Sequence, residues 1–387
     1  YELVEGETAD HFGPRVISGL SVEQIERQLR ETAHHDWQIE RYKFAVAQDI
    51  EFAHEDPARP RVEEFRKATA DLWPKPFDVF EVARRVRKLT RHETDFDSGD
   101  VVACLTAARS GRGLLCQHFS RLFGCVCSAR GYTTRVVSLS EDGNVFDHAM
   151  CEIYLPDYGR WVVIDTDFGV AYRLDGKWLN AVEVQRIWRR LASESEFQSS
   201  TRPVAEKQAM VLRHSGLEMV TFGTVESQLR KKRMNESRTG MNLELFEYVF
   251  IAMRDDNVGV EYPFGHPVKV KQLCFAADGS DDFVPACPEA GFPDYEDVYW
   301  HVGACGIQVT GVSMESGLSK LSLAFSTRTP RFAEFECRVG GGDWRSCAST
   351  FDWVLESQQN RIDVRSINTS GVRGPVSTLR VRKELAD

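Results

Sequence analysis

The sequence predicts an α+β fold followed by a β-sandwich, and three observations predict it. Apolar residues recur at helical spacing through much of residues 1–90. One helix and three strand-like runs occupy residues 111–170. Apolar and polar residues alternate between Gly/Pro turns from about residue 296. A chain of 387 residues is too long for one ordinary core, so two or three domains are expected. The predicted divisions are a helical N-terminal region at 1–76, a core at 77–190, a helical and loop-rich extension at 191–295, and a sandwich at 296–387.

Along the chain, Ser21 and Gln24 fit a capping box, and Ile25, Leu29, Ala33 and Trp37 follow at helical spacing. Pro74 and Pro76 mark a boundary, because proline cannot continue a helix. Helical patterning resumes over 77–90 with Phe80, Val82, Val86 and Leu89. Gly111-Arg112-Gly113 forms a turn. The next helix carries Leu115, Phe119, Leu122, Phe123 and Val126 on one stripe and ends at Gly131. Strands are predicted at 133–140, 145–155 and 160–165, joined through Asp142-Gly143 and Asp157-Tyr158-Gly159. Residues 181–255 look helical, and the run Arg230-Lys231-Lys232-Arg233 reads as a solvated face. Residues 256–295 look loop-like. Beyond them, Ala333, Phe335, Cys337 and Val339 alternate with Phe332, Glu334, Glu336 and Arg338, as in a sandwich strand.

Composition excludes some function classes. Apolar content of 42% and charged content of 27% suit a globular chain. Nothing is long and apolar enough to span a membrane. The net charge of −10 argues against a nucleic-acid partner, which needs a basic surface. Tyr1 is not an initiator methionine, so either a signal peptide has been removed or the chain is trimmed. None of the 10 cysteines has C-x-x-C spacing, and neither a metal nor a cofactor is expected.

Three residues carry the candidate chemistry. Cys116 opens a helix, where unpaired N–H groups and the macrodipole favour thiolate, the reactive form of the side chain. Cys125 and Cys127, on the same helix, read as buried structural thiols. His148 lies with Met150, Glu152 and Tyr154 on the strand face opposite Ala149, Cys151, Ile153 and Leu155. Asp165 ends the apolar run Trp161-Val162-Val163-Ile164. Taken singly, each has an ordinary structural explanation: a buried thiol, a hydrogen-bonded histidine, a strand terminator. Together they do not. The midpoint between His148 and Asp165 falls between Pro156 and Asp157, where the turn begins, so the two can face each other across paired strands. Facing Cβ atoms are about 4.5–5.5 Å apart. The carboxylate can then hold one imidazole nitrogen while the other takes a proton from the thiol.

These residues resemble a known pattern. Gly113-Leu114-Leu115-Cys116, Gly131-Tyr132-Thr133-Thr134-Arg135-Val136, His148-Ala149-Met150-Cys151-Glu152 and Trp161-Val162-Val163-Ile164-Asp165 are similar in order and spacing to the core of the transglutaminase-like superfamily. The resemblance covers residues 111–172. It implies a papain-like transglutaminase core, helix packed on antiparallel sheet, with Cys116 as nucleophile, His148 as base and Asp165 as orienting acid. Met150 stands where the family often has Trp. No oxyanion-hole side chain follows from the motif, although the Cys116 N–H is a natural donor. Gln117 and His118 adjoin the nucleophile and either pack or take part.

Cys337 and Cys347 flank Gly342 symmetrically, so they are candidates for a cross-strand disulfide, and Cys274 with Cys287 for a second. Such bridges imply an extracytoplasmic protein; free buried thiols are the alternative. The segment Ile362–Asn368, followed by Gly371 and Gly374-Pro375, resembles immunoglobulin-like or fibronectin-type modules. Such modules position an enzyme or bind a partner.

The function expected is acyl transfer from an amide or ester of a protein, peptide or polymer, by hydrolysis or by cross-linking, with hydrolysis of a peptide or related amide preferred. A non-catalytic scaffold that keeps the fold to hold a protein or polysaccharide is the alternative. A metal site built on Cys116 and His148 is a third reading.

Overall fold

The structure is a computed structural model. It describes residues 22–33, 37–42, 52–93, 96, 98–143, 146–192, 216–222, 246–259, 272–276 and 295–383. In chain order the helices used below are α1 (Val22–Ala33), α2 (Pro60–Ala68), α3 (Val79–Arg87), α4 (Val101–Arg109), α5 (Cys116–Ser128) and α6 (Ala181–Ala192). The first nine strands are β1 (Trp37–Tyr42), β2 (Thr134–Ser140), β3 (His148–Leu155), β4 (Arg160–Asp165), β5 (Val170–Leu174), β6 (Lys177–Trp178), β7 (Glu218–Thr221), β8 (Tyr248–Ala252) and β9 (Gln272–Ala276). The rest are β10 (Cys305–Glu315), β11 (Leu318–Thr327), β12 (Phe332–Val339), β13 (Arg345–Cys347), β14 (Thr350–Val354), β15 (Gln359–Asn368) and β16 (Ser377–Lys383). Among the described residues no helix is long and apolar enough to cross a membrane.

Contacts divide the chain into two compact units, one of residues 51–155 and 161–295, the other of 1–50, 156–160 and 296–387. The first unit is α+β. Its sheet runs β6-β5-β4-β3-β2-β8-β9, with β7 also paired to β5. Helix α5 packs on β2 and β3 because its apolar stripe matches the sheet. Phe119, Leu122, Phe123 and Val126 are fully buried against a core that includes Cys151, Ile153, Val162 and Ile164. Each such side chain contributes roughly 1.5–3 kcal/mol by leaving water. Gly124 permits the close approach: a Cβ there would meet Cys151 Sγ at 3.1 Å and Thr134 Oγ1 at 3.3 Å. The helix ends at Ser128 with Ala129 as its cap, and Gly131, expected from the sequence to close it, follows two residues later with a φ of +87° in the left-handed region.

Two aspartates set the starts of the preceding helices. Asp78 accepts from the Phe80 and Glu81 N–H groups at 2.9 and 3.2 Å, and Asp100 accepts from Val102 and Ala103 at 2.6 and 3.0 Å. Asp78→Ala is therefore expected to lower stability by about 1 kcal/mol, read as a shift in the urea midpoint at unchanged m-value.

The segment 191–295, read from sequence as helical and loop-rich, contributes β7, β8 and β9 to the sheet among its described residues. The Arg230–Arg233 run and Cys287 lie outside the described residues, as does Ser21.

The second unit is a two-layer sandwich of a five-stranded sheet, β1-β16-β15-β12-β13, and a three-stranded sheet, β10-β11-β14. Phe335, Cys337, Ile362, Val364, Leu379 and Val381 from one sheet meet Ile307, Val309, Leu321, Leu323, Phe325 and Trp353 from the other; Ile25 and Leu29 of α1 join them. The expected hairpin of Cys337 and Cys347 forms with a different register. Cys337 pairs with Arg345 and Phe335 with Cys347, which centres the turn on Gly341 rather than Gly342. The cysteines are thus diagonal neighbours on one face, and both are free thiols. Their side chains hydrogen-bond each other. That bond lowers Cys337 below the ordinary thiol range and raises Cys347 above it.

Candidate active site

Cys116 is the first residue of α5 and is half-buried. Leu115, which precedes it, has no polar side chain to cap the helix. The cap comes from inside the helix instead: the Leu115 N–H donates to Nδ1 of His118 at 3.1 Å. Burial pushes His118 down to about 4, and the charge of Arg121 pushes in the same direction. It is therefore neutral at ordinary pH, with Nδ1 free to accept. His118 is buried and shapes the first turn through this bond. The N–H groups of Cys116 and Gln117, first in the helix, have no acceptor within it.

His148 begins β3 and Asp165 ends β4, neighbouring strands of the sheet. Nε2 of His148 lies 2.9 Å from Oδ2 of Asp165, so the facing expected from the turn is realised. The other carboxylate oxygen, Oδ1, accepts from the Phe168 N–H at 2.9 Å, which fixes the rotation of the group. Asp165 is wholly buried and His148 is 6% exposed. The Phe168 ring packs 5.1 Å from the imidazole, centre to centre.

Burial by itself would depress the His148 imidazolium. The Asp165 charge and hydrogen bonds to Asp165 and Cys116 outweigh it, and hold His148 well above its ordinary value. With Nε2 committed to Asp165, Nδ1 is the nitrogen left for the Cys116 thiol. The structure thus brings together all three residues singled out in the sequence. Cys125 and Cys127 are buried in the core, and burial raises both thiols far from the reactive range.

Several residues at the site carry no motif. Arg87 and His92 both contact Asp167, two residues beyond Asp165. Tyr172 is buried beside Asp165, and burial first, then that carboxylate, raises its phenol. The only signal in the sequence was a second aspartate in Asp165-Thr166-Asp167; its partners lie more than seventy residues upstream.

A cavity of about 690 Å³ opens over α2 and α4, lined by Phe65, Phe96, Leu105, Arg61 and Arg112 among others. Its lining does not include Cys116, His148 or Asp165, and the chemistry is assigned by side-chain geometry instead. Among the described residues no group of three or more His, Cys, Asp or Glu side chains is arranged to hold a metal ion.

No curated protein sequence matches this chain. The crystal structure of red sea bream transglutaminase aligns over 91% of this chain and 78% of its own, at 10% identity and a TM-score of 0.21. So loose a superposition adds no weight. Residues 63–166 match the sequence profile of the transglutaminase-like superfamily, a span that contains Cys116, His148 and Asp165. The chain therefore carries, over residues 63–166, a domain of the transglutaminase-like superfamily.

Proposed function

We propose that this chain is a cysteine acyl-transfer enzyme whose reaction runs through Cys116, His148 and Asp165. The observation that carries this reading is the contact between the His148 imidazole and Asp165 at 2.9 Å, with Cys116 among the groups that act on the same ring. The Cys116 thiolate attacks the carbonyl carbon of an amide or ester, and the C–S bond forms as the carbonyl electrons move to oxygen. The first N–H groups of α5 stabilise that oxygen. His148 gives its proton to the departing amine or alkoxide as the C–N or C–O bond breaks. In the second half, His148 takes a proton from water or an amine, which attacks the thioester and frees Cys116. Asp165 keeps the ring in one orientation and stabilises its charge throughout. A protein or peptide carbonyl is the substrate class this reading favours.

Chloroacetamide labelling of the native full-length protein, followed by peptide mapping, tests it. Cys116 is expected to be alkylated well ahead of Cys125, which burial keeps protonated and out of reach. His148→Ala is expected to slow the labelling of Cys116. Equal, slow labelling of both cysteines would instead favour a scaffold that keeps the fold without the chemistry.

A further inference from the structure

Asp167 takes no part in the proton transfers of Cys116 and His148, yet it is wholly buried. A buried carboxylate is costly unless it is paired, and this one is held from two sides. His92 Nδ1 lies 3.0 Å from Oδ1 and 2.9 Å from Oδ2. Arg87, only 1% exposed, donates from Nε to the Asp167 backbone carbonyl at 2.7 Å and stands 3.7 Å from Oδ1. Arg87 is fixed in turn, donating to the Thr90 carbonyl at 2.8 Å and lying over the Phe119 ring at 4.8 Å.

What this clamp holds is the loop between β4 and β5. Asp165 pairs with Val170, so residues 166–169 form a tight connection, and the Asp165 carbonyl accepts from the Gly169 N–H at 2.9 Å. Both residues that touch His148 from this side, Asp165 and Phe168, flank Asp167 in sequence. The clamping segment also reaches the nucleophile. His92 is bridged to Leu114, with Leu114 N–H donating to the Arg91 carbonyl and Glu93 N–H to the Leu114 carbonyl, two residues ahead of Cys116.

We propose that Asp167, clamped by Arg87 and His92, is a positioning residue: it fixes the 166–169 loop so that Asp165 and Phe168 hold the His148 ring in line with Cys116. The proposal rests on the triad reading above. Among the described residues, the titratable groups that act on His148 are Asp165 and Cys116, with Tyr172 beside Asp165. Loosening the loop weakens the hold of Asp165 on the imidazolium, and the ring loses its proton at lower pH.

The test compares Asp167→Ala, Asp167→Asn and His92→Ala in the full chain, using acylation by p-nitrophenyl acetate and alkylation by chloroacetamide across pH. Asp167→Ala is expected to lose up to about 100-fold in kcat/KM, mostly in kcat, with the basic limb of the profile moved to lower pH. Asp167→Asn recovers most of the loss, since its amide oxygen still accepts from His92. His92→Ala shows a smaller loss in the same direction. An Asp167→Ala protein that melts earlier but keeps the wild-type kcat and basic limb makes Asp167 merely structural and overturns the proposal. Should that variant not fold, His92→Ala with the wild-type rate and profile overturns it equally. A wild type that neither acylates nor alkylates at Cys116 fails the triad reading itself, and this proposal with it; a wild type that does both, beside an unaffected Asp167→Ala, fails only the role given to Asp167.

Discussion

Replacing His148 with alanine is expected to lower acylation of Cys116 by on the order of 10⁴-fold or more and to abolish the basic limb of its pH profile. The magnitude follows from the arrangement. His148 lies between Asp165 and Cys116 and interacts with both, so its loss removes the proton donor for the leaving group and the partner of the thiolate together. The limb follows from the direction of its shift. Asp165 and the hydrogen bonds around the ring keep the imidazolium well above its ordinary value despite burial, so wild-type activity persists past neutrality and falls only where that proton leaves. Asp165→Asn keeps an acceptor for the ring without the charge, and its basic limb should lie below that of the wild type. The same shift links to stability. A group whose pKa is raised on folding stabilises the folded state fully below its unfolded value, about 6.5 for histidine, and that contribution is lost as pH rises through the folded value. Urea midpoints measured from pH 6 upward should therefore decline in the wild type over that window. The decline should be missing in His148→Ala. A midpoint curve for the variant that follows the wild type would show that His148 is not the group being titrated.

The parts of this site that lie close together in sequence were legible, and the parts assembled from a distance were not. Helix α5, the glycine after it, the three strands and the pairing of His148 with Asp165 all follow from local period and turn chemistry, and the short β3–β4 turn leaves little freedom for the register. Strand β8 was read as helix. One of its two partners is β2, with Val137 opposite Ile251, more than a hundred residues away, and a short apolar run does not announce which neighbour will take its hydrogen bonds. Trp37 fits the period of a preceding helix, yet it begins β1, which pairs with β16 at the other end of the chain. Tertiary pairing overrides a weak local preference in both cases. Cys337 and Cys347 failed for a smaller reason. Symmetry about Gly342 fixed the guess, but the Gly342 N–H donates to the Val339 carbonyl and the turn closes one residue earlier, which moves the strands by two. Asp167 carried no motif in the sequence, and its contacts with Arg87 and His92 are what distinguish it.

Glu152→Ala is expected to cost about 3–5 kcal/mol of stability. The sequence placed Glu152 on the His148 face of β3. In the fold that face is closed, and both Glu152 and its cross-strand partner Arg135 are essentially unexposed. Arg135 donates to Oε2 through Nε at 2.8 Å, with Nη2 2.7 Å from the same oxygen, and its guanidinium lies 3.9 Å from the centre of the Trp161 ring. The other oxygen, Oε1, accepts from the Ala181 N–H at 2.7 Å and so caps α6. Alanine leaves a buried cation without its counter-charge and a helix N–H without its acceptor. Glutamine restores the acceptor alone, and should recover the capping share, about 1 kcal/mol, but not the remainder. Replacing both Arg135 and Glu152 with methionine removes the two charges at once. That variant should be more stable than Glu152→Ala, because the penalty lies in the unpaired charge more than in the missing attraction. Urea unfolding of the four proteins at constant pH checks the order. If the double replacement falls below Glu152→Ala, the pair contributes net attraction, and the cost assigned to the stranded arginine is wrong.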